Sequence, residues 1–131
     1  MFTILIVEDS NTEALELTRK LLRMGYHVLR AASGEEGVVL AAAEQPDAIL
    51  MDVVMPGLNG FQATRQLKHS ADTKHIPVII HSSKNSEVDI VWGKRQGADN
   101  YLIKPATPEA LGEAIDRVIL RQSKASIAED A

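Results

Sequence analysis

Three carboxylates stand where short apolar runs stop: Glu8 and Asp9 follow Ile4-Leu5-Ile6-Val7, and Asp52 follows Ala48-Ile49-Leu50-Met51. An apolar run this short, bounded by polar and turn residues, reads as a strand buried on both faces. The carboxyl ends of such strands are where open α/β sheets place their chemistry. Gathered in one place, carboxylates repel one another, and a hard divalent cation is the natural remedy. One of them could also serve as an oxygen nucleophile. A strand-end Asp taken alone caps a turn just as readily. What Asp52 does therefore depends on what the rest of the chain brings beside it.

The chain supplies a regular strand–helix rhythm. Ser10 or Asn11 can cap a first helix carrying Leu15, Leu17, Leu21, Leu22 and Met24, which Gly25 closes. Tyr26 to Ala31 alternates and predicts an outer strand, and Ser33-Gly-Glu-Glu36 is a capping-box pattern opening a helix through Ala43. The Asp52 strand comes third, and Asn59 to about His69 predicts the third helix. Pro77 to Ser82 predicts a fourth strand, Ser86 to Gln96 a helix closed by Gly97, and Tyr101 to Pro105 a short fifth strand. Thr107 caps the last helix, with Pro108 at its first position, where a missing N–H costs nothing. That helix is expected to fade near Gln122, so that 1–122 forms the domain and 123–131 a loose tail.

Such alternation implies a doubly wound (βα)5 fold, a parallel sheet covered on both faces by right-handed crossovers. Strand order 2-1-3-4-5 fits best, and it places Glu8 and Asp9 beside Asp52 at the topological switch point.

Bulk properties narrow the function classes. A length of 131 residues suits one domain, and 45% hydrophobic with 24% charged residues is ordinary globular composition. A net charge of −4 without a basic stripe argues against nucleic acid as the direct partner. With no cysteine, disulfides, thiol nucleophiles and thiolate metal sites are excluded. The N-terminus lacks the pattern of a signal peptide and no run reaches membrane-spanning length, so a cytoplasmic location without membrane insertion is expected.

Four pieces in fixed order carry a resemblance: Glu8-Asp9-Ser10; Asp52 with Met55-Pro56-Gly57 and Gly60; Pro77-Val-Ile-Ile-His-Ser82-Ser83-Lys84; and Gly97-Ala-Asp-Asn-Tyr101-Leu-Ile-Lys104-Pro105. Together they resemble the CheY-like receiver domains of bacterial two-component response regulators, over about residues 3–122. Segments 55–67 and 91–98 are similar to single-domain regulators of type IV pilus twitching motility. The resemblance implies that Asp52 accepts a phosphoryl group from a sensor histidine kinase, CheA-like or other, in a Mg²⁺-dependent reaction. It implies Asp9, Asp52 and the Val54 backbone carbonyl as Mg²⁺ ligands, with Glu8 acting through water. Lys104 would pair with a phosphoryl oxygen, Ser82 would offer its hydroxyl to another, and Tyr101 would be a rotating switch aromatic. Serine stands at 82 where threonine is commoner, and Glu-Asp replaces Asp-Asp at 8 and 9. Val54 and Lys84 hold the two variable positions that tune hydrolysis; an apolar Val54 cannot position a water, so slow autodephosphorylation is expected.

The remaining candidates also have plainer roles open to them. His27, His69, His75 and His81 show no metal-ligand spacing, so solvated histidine is the default, although His81 stands where the family has an apolar residue and could perturb the fourth helix. A helical wheel set by Val88 and Val91 points Ile90 outward with Lys94 nearby, as part of an output surface, and puts Trp92 at the flank of the buried face, where it is read as a packing residue before an interface anchor of that surface. With no effector domain after the fifth helix, the expected protein is a free-standing switch, not an enzyme acting on others. It would be a monomer or a phosphorylation-dependent weak dimer. A phosphate sink, a phosphorylation-independent scaffold and a true Mg²⁺ phosphotransferase or phosphatase are the alternatives. The enzyme would need a second acid or base after its nucleophile, and Asp52-Val-Val has none.

Overall fold

The computed structural model describes residues 1–130, with side chains described through Gln122. Five strands, β1 (Thr3–Val7), β2 (His27–Ala31), β3 (Ala48–Met51), β4 (Val78–Ser82) and β5 (Asn100–Ile103), alternate with five helices. The helices are α1 (Asn11–Arg23), α2 (Gly34–Glu44), α3 (Gly60–His69), α4 (Glu87–Arg95) and α5 (Pro108–Asp130). The sheet is parallel throughout, in the order β2-β1-β3-β4-β5. The predicted topology and strand order are those observed.

Two apolar layers sandwich the sheet. Ile4, Ile6, Leu50 and Ile79 face α1 and α5, where Leu17, Leu21, Leu111 and Ile115 meet them. The alternate residues Leu5, Val7, Ile49 and Met51 face α2 and α3, against Ala41, Ala63 and Leu67. Because β1 and β3 are buried on both faces, their sequences are runs of apolar residues rather than alternations.

The helix starts follow local chemistry. Ser10, Ser33 and Ser86 each accept a hydrogen bond from a backbone N–H three residues on, and Asn59 forms a full capping box with Gln62. Glu36 reaches back to the Ala32 N–H rather than to Ser33, a variant of the predicted box. In α1 the buried stripe is Ala14, Leu17 and Leu21, so Leu15 and Leu22, one position off that stripe, face solvent instead of the core. Helix α5 continues to Asp130, past the expected fade at Gln122. The tail expected over 123–131 falls on residues whose side chains lie outside the described set.

Candidate functional site

The register of the central strands builds the site. Val7 pairs with Met51, and the Asp52 N–H donates to the Val7 carbonyl at 3.0 Å, so the residues just beyond β1 and β3 lie side by side. Glu8, Asp9 and Asp52 each contribute a carboxylate oxygen to a group whose members lie within 4.8 Å of one another. Glu8 and Asp52 are buried, at 3% and 8% exposed, while Asp9 is exposed at the rim. Helix α3 begins directly against this strand end. A Cβ on Gly60 would overlap the Asp52 carbonyl oxygen, which is why only glycine fits there.

Lys104, beyond the end of β5, is shared among the acids. Its Nζ lies 2.6 Å from Glu8 Oε1, 3.3 Å from Glu13 Oε1 and 3.4 Å from Asp52 Oδ1. Burial works against the Lys104 charge, but the hydrogen bond to Glu8 and the charges of Asp52, Glu8 and Glu13 outweigh it and raise its pKa. Burial pushes the Asp52 carboxyl up to about 6; Lys104 opposes this and Glu8 adds to it. Asp52 Oδ1 also accepts the Val53 N–H at 2.9 Å. Oδ2 has no protein partner among the described residues and is not sealed from solvent, so it is the oxygen presented to the cleft. Glu13 escaped the sequence reading. Its only signal was an acid three residues after the Ser10 cap, which reads simply as a first-turn carboxylate favoured by the helix dipole.

Ser82, Lys84 and Tyr101 form a second linked group. The fully buried Ser82 accepts the Lys84 N–H on its Oγ at 3.2 Å, and the Tyr101 hydroxyl donates to the Lys84 carbonyl at 2.6 Å. The Lys84 residue is thus held at both of its backbone polar groups. The Tyr101 ring is half-buried, packs with Val53, Phe61 and Ile80, and faces Gly93 of α4. A Cβ on Gly93 would come within 2.8 Å of Ile80 and 3.1 Å of the Tyr101 ring.

That close approach corrects the predicted orientation of α4. Its buried residue is Gly93, with Asp89 and Ile90 half-buried, so Ile90 does not point outward. Val88, Val91 and Trp92 face solvent, at 77%, 50% and 49% exposed. Trp92 is therefore a surface residue and not a packing one; it lines a groove with Val54, Met55, Phe61 and Lys84 beside the carboxylates. Lys94 is exposed as expected.

His81 departs from the solvated default as well. His27, His69 and His75 are exposed, but the His81 ring is half-buried, and its buried Nε2 has no hydrogen-bond partner among the described residues. Strand alternation puts it on the face of Ile79, toward α1, where it lines a cavity of about 80 Å³ with Leu17, Lys20 and Lys104. It lies away from α4 and cannot perturb that helix by contact. Burial, with the charges of Lys104 and Lys20, pushes its pKa down to about 4.

Residues 4–116 match the response regulator receiver domain family. The chain is 56% identical to Protein PilH of Pseudomonas aeruginosa over 119 residues, covering 91% of this chain and 98% of that protein. Other curated relatives, regulatory proteins 35%, 36% and 32% identical, are spanned over 55%, 49% and 47% of their own length. Among solved structures, the chemotaxis protein CheY4 of Vibrio cholerae superposes with a TM-score of 0.84 at 31% identity, over 90% of this chain and 98% of that one. The receiver domain of sensor histidine kinase PA1611 of Pseudomonas aeruginosa, with a magnesium ion coordinated in its active site cleft, gives a TM-score of 0.84 at 30% identity, over 90% of this chain and 97% of that one. No helix among the described residues is long and apolar enough to cross a membrane.

Proposed function

This chain belongs to the response regulator receiver domain family, whose members take up a phosphoryl group as a signal, and we propose that Asp52 is the acceptor. The observation that carries the reading is the environment of the Asp52 carboxylate: one oxygen held by Val53 and Lys104, the other open to a cleft lined by acids. In the transfer, Asp52 Oδ2 forms a bond to phosphorus while the bond from phosphorus to the donor atom breaks. The electron pair of that bond leaves with the donor, a kinase histidine nitrogen or the carboxylate of acetyl phosphate.

The donor set suits Mg²⁺: hard oxygens, few of them, on a partly open rim. Asp9, Asp52 and the Val54 carbonyl are the proposed protein ligands, with Glu8 behind them. Bound there, the ion would offset the charge on the transferring phosphoryl oxygens. Lys104 supplies a fixed positive charge 3.4 Å from Asp52 Oδ1. Ser82, now engaged with the Lys84 N–H, is the hydroxyl available to a phosphoryl oxygen, and Lys84 is the first residue to feel its departure.

The similarity to PilH favours a place in pilus-driven twitching motility or a chemotaxis-like pathway, with a sensor histidine kinase as donor and a protein target as reader. Val88, Val91, Trp92 and Lys94 replace the Ile90-centred patch as the proposed α4 output surface. Residues 1–122 are the proposed receiver unit. Incubation with acetyl phosphate and Mg²⁺, read by intact mass, tests the reading. One phosphoryl adduct, lost in Asp52→Asn, is expected; an adduct that persists in Asp52→Asn removes Asp52 as acceptor.

A further inference from the structure

Arg30, the penultimate residue of β2, has no part in the site as described, yet it spends its whole guanidinium on the loop that carries two of the acids. Its Nη2 and Nε both donate to the Glu8 carbonyl oxygen, at 2.8 and 3.1 Å, and its Nη1 donates to Asn11 Oδ1 at 2.8 Å. The next residue of β2 completes the hold, because the Glu8 N–H donates to the Ala31 carbonyl at 3.0 Å. Both backbone polar groups of Glu8 are therefore fixed by the end of one neighbouring strand. The Glu8 side chain is fixed too, with Oε1 on Lys104 and Oε2 accepting the Ser10 N–H at 3.1 Å. Asp9 is different: its carboxylate makes no hydrogen bond among the described residues and sits exposed at the rim. What orients Asp9 is the peptide it shares with Glu8, and Arg30 is bonded to the oxygen of that peptide.

We infer that Arg30 is a positioning residue for the acidic pocket, holding the Glu8–Asp9 peptide so that the Asp9 carboxylate is aimed at the cation site before the cation arrives. Two consequences of a guanidinium at this place oppose each other. Its charge repels a nearby cation, which would weaken binding. Its fork fixes the loop, which removes an ordering cost from binding. Solvent screening reduces the first at a half-buried rim position, whereas the second acts through three direct hydrogen bonds, so bracing dominates. Lysine cannot substitute, since an ammonium at the end of a flexible stem does not reproduce a planar fork.

The inference rests on the reading that Asp9 and Asp52 hold a divalent cation, and the test separates the two. Mg²⁺ is titrated into wild type, Arg30→Ala, Arg30→Lys and Asn11→Ala, following backbone amide shifts of Asp9, Asp52 and Val53. Amide exchange of Glu8 and Ser10 is measured in the same proteins without metal, with Ile6 and Leu50 as reporters of an intact sheet. Arg30→Ala is expected to raise the Mg²⁺ dissociation constant about tenfold, the lower range for losing an outer partner of a metal ligand. Arg30→Lys should recover only part of that loss, and Asn11→Ala should stay within about twofold of wild type, since both bonds to the Glu8 carbonyl remain. Exchange at Glu8 and Ser10 should quicken in Arg30→Ala while Ile6 and Leu50 stay protected. Equal or tighter Mg²⁺ binding by Arg30→Ala shows that repulsion outweighs bracing, and full recovery by lysine shows that the fork is not needed; either result overturns the inference. Failure of wild type to bind Mg²⁺ overturns the acidic-pocket reading instead, and the metal-free exchange then decides the brace: unchanged protection at Glu8 and Ser10 rejects it.

Discussion

Tyr101 donates its phenolic hydrogen to the carbonyl of Lys84, 2.6 Å away, and so ties β5 to the loop that leads from Ser82 into α4. The same Lys84 gives its N–H to Ser82. A phosphoryl group on Asp52 that draws the Ser82 hydroxyl away would release one of the two bonds holding this loop, and Tyr101 would keep the other. The aromatic ring packs beside Gly93 in this structure, and its bond to Lys84 is the contact that any rotation of the ring would break.

Tyr101→Phe keeps the ring and removes the tie. Amide exchange across Ser83–Ser86 is expected to quicken in this variant, and stability to fall by about 1 kcal/mol for one lost hydrogen bond. Ser82→Ala should still accept phosphoryl, because the hydroxyl is not the nucleophile. Its phosphorylation-induced amide shifts over residues 88–101 should shrink markedly. Shifts as large as in wild type would take Ser82 out of the relay.

Gly60→Ala places a methyl group on the Asp52 carbonyl oxygen, a backbone atom fixed in the central strand. A loss near or above about 3 kcal/mol is expected in urea unfolding, at the upper end for overpacking. Gly93→Ala meets side-chain atoms of Ile80 and Tyr101 that can give way, so its cost should be smaller, about 1–2 kcal/mol. The reverse ranking would place the tightest approach at α4 instead of α3.

His81 predicts a pH dependence. Its folded pKa is depressed to about 4 from 6.5, so the fold favours the neutral ring. The stability linked to this preference is complete above pH 6.5 and is lost as pH falls toward 4, where the folded protein also takes up the proton. The full gap corresponds to at most about 3 kcal/mol. The difference in urea-unfolding free energy between wild type and His81→Leu, followed from pH 7 to 4, should therefore shift in favour of the leucine variant. Parallel curves would place the His81 ring in water.

Val54 lies exposed in the groove beside the carboxylates and carries no polar atom on its side chain. Val54→Asn offers an amide that can hold a water near the phosphoryl group, and loss of the acyl phosphate should be several-fold faster than in wild type. Phosphate release after removal of donor measures it. Equal or slower loss would shift the control of lifetime to Lys84.

The site's acids were legible because their positions follow from the fold: a βα rhythm gives the strand order, and the order brings the ends of β1 and β3 together. The face of α4 was not. Val88, Ile90, Val91 and Trp92 spread apolar side chains around most of a nine-residue helix, so periodicity gave no single stripe. What chose the buried side was the absence of a side chain at Gly93, which lets the helix lie on Ile80 and Tyr101, and a missing Cβ leaves no hydrophobic signal. His81 was obscured for a related reason. Its strand neighbours show which face it occupies, but only the packing of α1 and the nearness of Lys20 and Lys104 make that face inhospitable to charge. Arg30 and Glu13 act across the fold, 22 and 91 residues from their partners Glu8 and Lys104, and nothing local marks them.

The sharing of Lys104 among Glu8, Glu13 and Asp52, with Asp9 close by, leaves more acids than bases at the mouth of the cleft. Small phosphodonors are themselves anions, so before a cation binds the acids their diffusion toward Asp52 runs uphill in the local field. With no cation in the pocket, encounter should therefore speed up, not slow down, as an inert monovalent salt is added, since shorter screening lengths flatten the barrier. A protein donor escapes this rule if it brings its own positive surface to the rim. Such a salt dependence would mean that an imbalance of charge alone favours a docked partner over small metabolite anions at the cleft.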